Sequence, residues 1–197
     1  MHSNEYDSSV PMAASDSDAE PKARRIVVVG SSGSGKTTLA AALAAELGIP
    51  HVELDAIHWL PDWQGRSRDE FRMLTREAVS AEAWVCDGNY SPVRDIVWGR
   101  ANTLIFLNYS FTLVLRRVLW RTIRRVFTRQ RLYSGNRESF RQAFLSSDSI
   151  IWWMISTYRR RRKEYPRLFR LREYSGLRII ELRRPVSIDE LVTRISQ

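Results

Sequence analysis

The chain has 197 residues and a mass of 23.0 kDa, enough for one well-buried domain and short for two. A single cysteine, Cys86, excludes an internal disulfide framework and a Cys-rich zinc site, and no apolar run approaches the roughly 20 residues that cross a bilayer. The formal net charge of +9 is localised: residues 116–172 carry 17 Lys and Arg against 3 acids, whereas 22–115 with 173–197 balance at 14 each. Such a concentration of charge calls for an anionic partner or substrate.

Residues 1–21 hold five acids and no Lys or Arg, are rich in Ser, Asp and Ala, and are expected to form a disordered acidic tail ahead of one domain at 22–197. The tail lacks the basic and apolar regions of a signal peptide, and the lone cysteine suits a reducing cytoplasm, the expected location. Ile26-Val27-Val28-Val29 reads as a buried parallel strand. The Ala- and Leu-rich run Thr38 to Leu47 reads as a helix stopped at Gly48. His51 to Leu54 is a second strand ending at Asp55, followed by a loop, Ala56 to Arg66. Arg68 to Ala81 is an amphipathic helix with an apolar stripe of Phe71, Leu74, Ala78 and Val79 and a cap at Ser67. Ala83 to Cys86 is a third strand, running into Asp87-Gly88-Asn89-Tyr90.

A short helix follows over Pro92 to Trp98, then a strand at Thr103 to Leu107. Phe111 to Arg129 is a long helix, Tyr133-Ser134-Gly135-Asn136 a turn, and Glu138 to Tyr165 a second long helix ending near Pro166. Leu177 to Leu182 is a fifth strand and Ser187 to Ile195 a closing helix. Strands alternating with helices predict an α/β fold with a doubly wound, parallel five-stranded sheet and ligands at its carboxyl ends.

Between the first strand and helix lies Gly30-Ser31-Ser32-Gly33-Ser34-Gly35-Lys36-Thr37, which fits G-x-x-x-x-G-K-[ST] at every fixed position. Glycines let the backbone take positive φ and bring N–H groups to phosphate oxygens, and the helix N-terminus adds its partial positive charge. The predicted cofactor-binding set is therefore Gly30, Ser31, Ser32, Gly33, Ser34, Gly35, Lys36, Thr37 and Thr38. Lys36 reaches the β- and γ-phosphates and the Thr37 hydroxyl ligates Mg²⁺. Lys36 is one of only three lysines among 31 basic residues, so lysine here is not a habit of composition.

Asp87, closing the third strand, reads as the second Mg²⁺ residue, the alternative being an Asp-Gly turn. Asp55 faces the same end of the sheet and either addresses an acceptor hydroxyl as base or caps a helix or loop. His58 serves as structure or in proton transfer, and Trp59 and Trp63 wall an acceptor pocket or anchor their loop. In the arginine-rich segment, Arg116, Arg117, Arg121, Arg124 and Arg125 lie on adjacent turns. They predict an anion-stabilising lid over about 116–140, with Arg117, Arg121 and Arg125 first among its catalytic residues beside Lys36 and Asp55. Arg159 to Lys163, beside Trp152, Trp153 and Tyr158, is either a solvated face or a nucleic-acid surface.

From Arg25 to Ile195 the chain resembles the adenylate-kinase-like proteins of the phosphate-loop superfamily, and within them the bacterial group labelled DNA topology modulation protein. The generic part rests on Gly30 to Thr37 and on Asp87-Gly88. The group-specific part rests on Leu54-Asp55-Ala56-Ile57-His58-Trp59, Trp84 to Tyr90, and Gly135-Asn136-Arg137-Glu138-Ser139. The resemblance implies that Gly30 to Thr37 bind the phosphates of ATP, that Asp55 and the Asn89-Tyr90 turn face the acceptor, and that Arg116 to Arg137 form the lid. ATP rather than GTP rests on it alone. One departure matters: adenylate kinases follow the strand-end Asp-Gly with Phe-Pro-Arg, whereas this chain has Asn89-Tyr90-Ser91, and Arg94 comes three residues later than that pattern. This argues against a nucleoside monophosphate acceptor. The expected activity is Mg²⁺-dependent transfer of the ATP γ-phosphoryl group to an unidentified small molecule. The alternative is a nucleotide-dependent regulatory or nucleic-acid-binding protein with little turnover.

Overall fold

The computed structural model describes residues 24–128, 133–135 and 150–197. The expected acidic tail, the Asn136 to Ser139 motif, the central part of the lid and the start of the second long helix lie outside them, as do the side chains of Trp152 and Trp153.

Five strands, β1 (Arg25–Gly30), β2 (His51–Glu53), β3 (Trp84–Asp87), β4 (Thr103–Leu107) and β5 (Arg178–Leu182), form one parallel sheet in the order β2-β3-β1-β4-β5. The central strand β1 shows how a continuous β-branched run serves two cores at once. Ile26 and Val28 face α1 (Lys36–Leu47), α5 (Phe111–Thr128) and α7 (Ile188–Ser196), packing with Leu43, Val118 and Leu191. Val27 and Val29 face α3 (Arg68–Ala78) and α4 (Arg94–Arg100), packing with Phe71, Val97 and Trp98. Helices on both faces of a parallel sheet make it doubly wound and bury its strands, β1, β3 and β4 almost completely.

The helix α6 (Ile150–Leu168) is the exception to this layering. Its Met154 and Tyr158 belong to the first core and its Tyr165 to the second. It therefore crosses from one face to the other, and residues between Tyr158 and Tyr165 pass the carboxyl ends of the strands. Pro166 lies inside α6 rather than ending it. In the last turn it removes one backbone bond, while Tyr165 and Leu168 remain packed in the core beneath.

A second difference from the sequence reading concerns Asp55. The strand β2 stops at Glu53, and Leu54–His58 is a short helix, α2, with Asp55 in its first turn. The buried Leu54 fixes this bend, because it packs so tightly on Gly88 that a Cβ there would lie 2.7 Å from the Leu54 Cβ. The loop beyond contains a 3-10 turn at Pro61–Trp63 and pairs Trp59 with Gly65. Ser67 and Ser187 cap α3 and α7 through Glu70 N–H and Glu190 N–H. No helix among the described residues is long and apolar enough to cross a membrane.

Candidate active site

The phosphate loop is held between the end of β1 and the start of α1. Gly33 and Gly35 sit at φ 77° and 93°, the left-handed region that glycine enters without strain. Space demands glycine as well: a Cβ on Gly33 would lie 1.9 Å from Val118 Cγ2. The helix α5 thus presses directly on the loop. Its Arg117 donates to the Ser34 carbonyl at 2.7 Å and lies over the Tyr109 ring, 5.2 Å from the centroid. From the other side Asn89 grips Gly30 through both main-chain groups, its amide donating to the Gly30 carbonyl and its Oδ1 accepting Gly30 N–H at 3.4 Å. Tyr165 of α6 donates to the same Asn89 oxygen at 2.8 Å. Ser34 Oγ is buried and has no hydrogen-bond partner among the described residues.

Beyond the loop, Lys36 donates from Nζ to the Ser31 carbonyl at 3.3 Å. Its ammonium is pushed down to about 8, first by desolvation and then by Arg161 and Arg121, with Asp55 and Asp87 opposing. Thr37 Oγ1 donates to Asp87 Oδ2 at 2.7 Å, and His51 Nε2 donates to Asp87 Oδ1 at 2.9 Å. Asp87 is 1% exposed, so these partners hold its carboxylate in one orientation. Thr38, next in the chain, is exposed.

Thr37 and Asp87 together offer two hard oxygen donors at the foot of the loop, which fits Mg²⁺. That ion takes one or two protein oxygens and completes its shell with water and phosphate. Among the described residues no cluster of three or more His, Cys, Asp and Glu forms a metal cage.

Asp55 accepts from Tyr90 Oη at 2.6 Å, which fixes the carboxylate from β3's side. Next to it, Tyr133 donates to Glu53 and Ser134 Oγ donates to the Trp59 carbonyl at 2.7 Å, so the 133–135 turn sits on the β2–α2 corner. Burial pushes both tyrosine hydroxyls well above their ordinary value, and the nearby carboxylates add to it. His58 is packed among rings, 4.7 Å from Trp59, 4.9 Å from Phe71 and 4.7 Å from Tyr90, and its imidazole is shifted down by desolvation. Its Nδ1 is buried without a partner among the described residues. Trp63 stands edge-on to Trp59 at 5.7 Å. A small cavity lined by Leu54, Gly88, Asn89, Tyr90, Trp98 and Tyr165 lies beside this corner. Arg94 lies over Trp98 at 5.3 Å and pairs with Glu164 at 3.5 Å.

The arginines divide by helix face. Arg117, Arg121 and Arg125 share the half-buried face of α5, while Arg116 and Arg124 are exposed. On α6, Arg159, Arg160, Arg162 and Lys163 are exposed, but Arg161 is half-buried and close enough to Lys36 to depress its pKa. In the sequence Arg161 is one of an unbroken basic run, Arg159 to Lys163. Its signal was the spacing: Arg161 follows Thr157 by one helical step of four and precedes Tyr165 by another, on the buried stripe. Tyr158 is buried and donates to the Tyr109 carbonyl at 2.7 Å, so it presents no face for stacking bases. His51 and Tyr165 were also missed, and no motif marks either.

The model of the ATPase family associated with various cellular activities (AAA) matches residues 26–93, the stretch from β1 to the turn after β3. No curated protein sequence matches the chain. Among solved structures, shikimate kinase from Acinetobacter baumannii in complex with shikimate is similar at 17% identity and a TM-score of 0.53, covering 87% of this chain and 90% of that one. Shikimate kinase from Bacteroides thetaiotaomicron is similar at 20% identity and a TM-score of 0.50, covering 88% and 96%. The parallel sheet, its order and the loop after β1 make this a P-loop NTPase fold.

Proposed function

We propose that the chain is an ATP- and Mg²⁺-dependent phosphotransferase that moves the γ-phosphoryl group to a small-molecule acceptor. The observation that carries this reading is the convergence of Lys36, the Thr37–Asp87 pair and Asp55 at one end of the sheet. The loop from Gly30 to Thr38 cradles the phosphates with main-chain N–H groups, and Lys36 supplies the charge at their far end. Thr37 and Asp87 would hold Mg²⁺, whose charge would offset that of the nucleotide phosphates. Asp55, oriented by Tyr90, accepts the acceptor's hydroxyl proton. Arg117, Arg121 and Arg125 stabilise the transferring group, and Arg161 joins them from α6, because a charge that bears on Lys36 also bears on the phosphate Lys36 binds.

The motif around Asp55 and the Asn89-Tyr90 turn support an adenylate-kinase-like relative of the topology modulation group. The Asn89-Tyr90-Ser91 departure favours an acceptor other than a nucleoside monophosphate. The two solved structures described above are shikimate kinases, which agrees with a small acceptor without naming it. A regulatory, nucleic-acid-binding role for the basic segment loses its aromatic support at Tyr158, and the exposed arginines read as a solvated face.

The test is ADP formation from ATP and Mg²⁺ by wild type and Lys36→Ala, alone and with pooled nucleoside monophosphates, sugars and sugar acids, hydroxy compounds, or duplex DNA. Stimulation by one small-molecule pool, lost in the variant, is the expected result. Stimulation by DNA alone, or turnover unchanged in Lys36→Ala, overturns the reading.

A further inference from the structure

Asp87 is gripped from two sides, and only one grip belongs to the phosphate loop. Thr37 occupies Oδ2 at 2.7 Å, and His51 occupies Oδ1 at 2.9 Å. With the carboxylate buried to 1% exposure, these two donors set its plane. His51 is well placed for this task. It opens the edge strand β2 in register with Val85, while Glu53 pairs with Asp87. Alternation puts His51, Glu53 and Asp87 on one face of the sheet, so the imidazole reaches along the strand to the acid. The ionised carboxylate only accepts, so Nε2 carries the proton.

We infer that His51 is a positioning residue for the metal-binding pair: by fixing Oδ1 of Asp87 it aims Oδ2 at Thr37 and at the divalent ion the two would share. This rests on the proposed ATP–Mg²⁺ reading and adds to it a residue outside every motif of the sequence. Outer-shell partners of metal-binding groups change metal affinity by about 10- to 100-fold when removed. An ordinary cross-strand tie, by contrast, changes stability and leaves metal affinity alone.

The experiment compares wild type, His51→Gln and His51→Phe. Glutamine keeps a donor near the position of Nε2, and phenylalanine keeps the bulk without the donor. Binding of a fluorescent, non-hydrolysable ATP analogue is followed as Mg²⁺ is titrated and again in EDTA, with Mn²⁺ binding read separately by electron paramagnetic resonance. In His51→Phe the divalent-ion midpoint is expected to rise about tenfold or more while affinity in EDTA stays within about twofold, with His51→Gln restored to within about threefold of wild type. If His51→Phe does not fold, His51→Asn takes its place, since the shorter amide does not reach Oδ1. Equal midpoints in all proteins, or equal losses with and without metal, overturn the inference. Wild type that binds the analogue with no dependence on divalent ions overturns the ATP–Mg²⁺ reading instead.

Discussion

Lys36 has the most consequential local environment in the molecule. Desolvation and two guanidinium neighbours bring its pKa down to about 8, against an ordinary 10.5. A cation whose folded pKa is depressed leaves the unfolded chain binding more protons between those two values. The free protein therefore gains stability from Lys36 as pH rises from about 8 towards 10.5. Phosphate reverses the balance by favouring the ammonium. ATP binding at pH 8 is expected to take up about half a proton, falling towards zero at pH 6, as read from binding enthalpies in buffers of different ionisation heat. Lys36→Met should abolish the uptake, and uptake that survives in that variant contradicts the assignment. Gly33 gives a second prediction at this scale. With φ at 77° and Val118 Cγ2 1.9 Å from an added Cβ, Gly33→Ala is expected to cost about 1–3 kcal/mol in urea denaturation. Adding Val118→Ala should recover part of that loss, and a stable single variant would show that the loop is not braced by α5.

At the scale of elements, the crossing of α6 over the sheet gives the site its second wall. Asn89 ties the end of β1 to this helix through Gly30 and Tyr165. Tyr165→Phe should lower stability by about 1 kcal/mol and Asn89→Ala by about 1–3 kcal/mol. In a double-mutant cycle the pair should couple by at least about 0.5 kcal/mol, and strict additivity would remove the latch from this account. How much could be read from the chain follows from the same elements. β1, its loop and α1 are local: a β-branched run, fixed glycines and a helix-forming stretch stand next to one another. Asp87 and the face of Arg117, Arg121 and Arg125 follow from strand ends and a period of four. In the sequence the short α2 divides between a strand end at Leu54-Asp55 and a loop from Ala56, because five residues are too few to show a period, and its bend depends on Leu54 meeting Gly88, 34 positions away. His51, Tyr165 and Arg161 reach the site through register and through a helix crossing between cores, and neither is encoded in neighbouring residues.

For the whole molecule, the positive charge gathered in 116–172 must be assigned to a partner. The half-buried Arg117, Arg121 and Arg161 bear on the phosphate loop and its lysine; of the exposed basic residues, Arg159, Arg160, Arg162 and Lys163 adjoin the buried Tyr158, and Arg116 and Arg124 flank one exposed ring, Trp120. Duplex DNA binding is accordingly expected to be weak and to vanish near physiological salt; a steep log–log salt slope with tight binding there would mean a real interface. On this reading the γ-phosphoryl group ends on a small molecule. ATP labelled in its γ-phosphate is incubated with Mg²⁺ and a deproteinised small-molecule extract, using wild type and Asp55→Asn, and the label is followed by chromatography. The account predicts label in a low-mass organic phosphate with wild type, and none with Asp55→Asn even though that variant still binds the ATP analogue. Label appearing only as inorganic phosphate, or the same organic phosphate formed by both proteins, would contradict it.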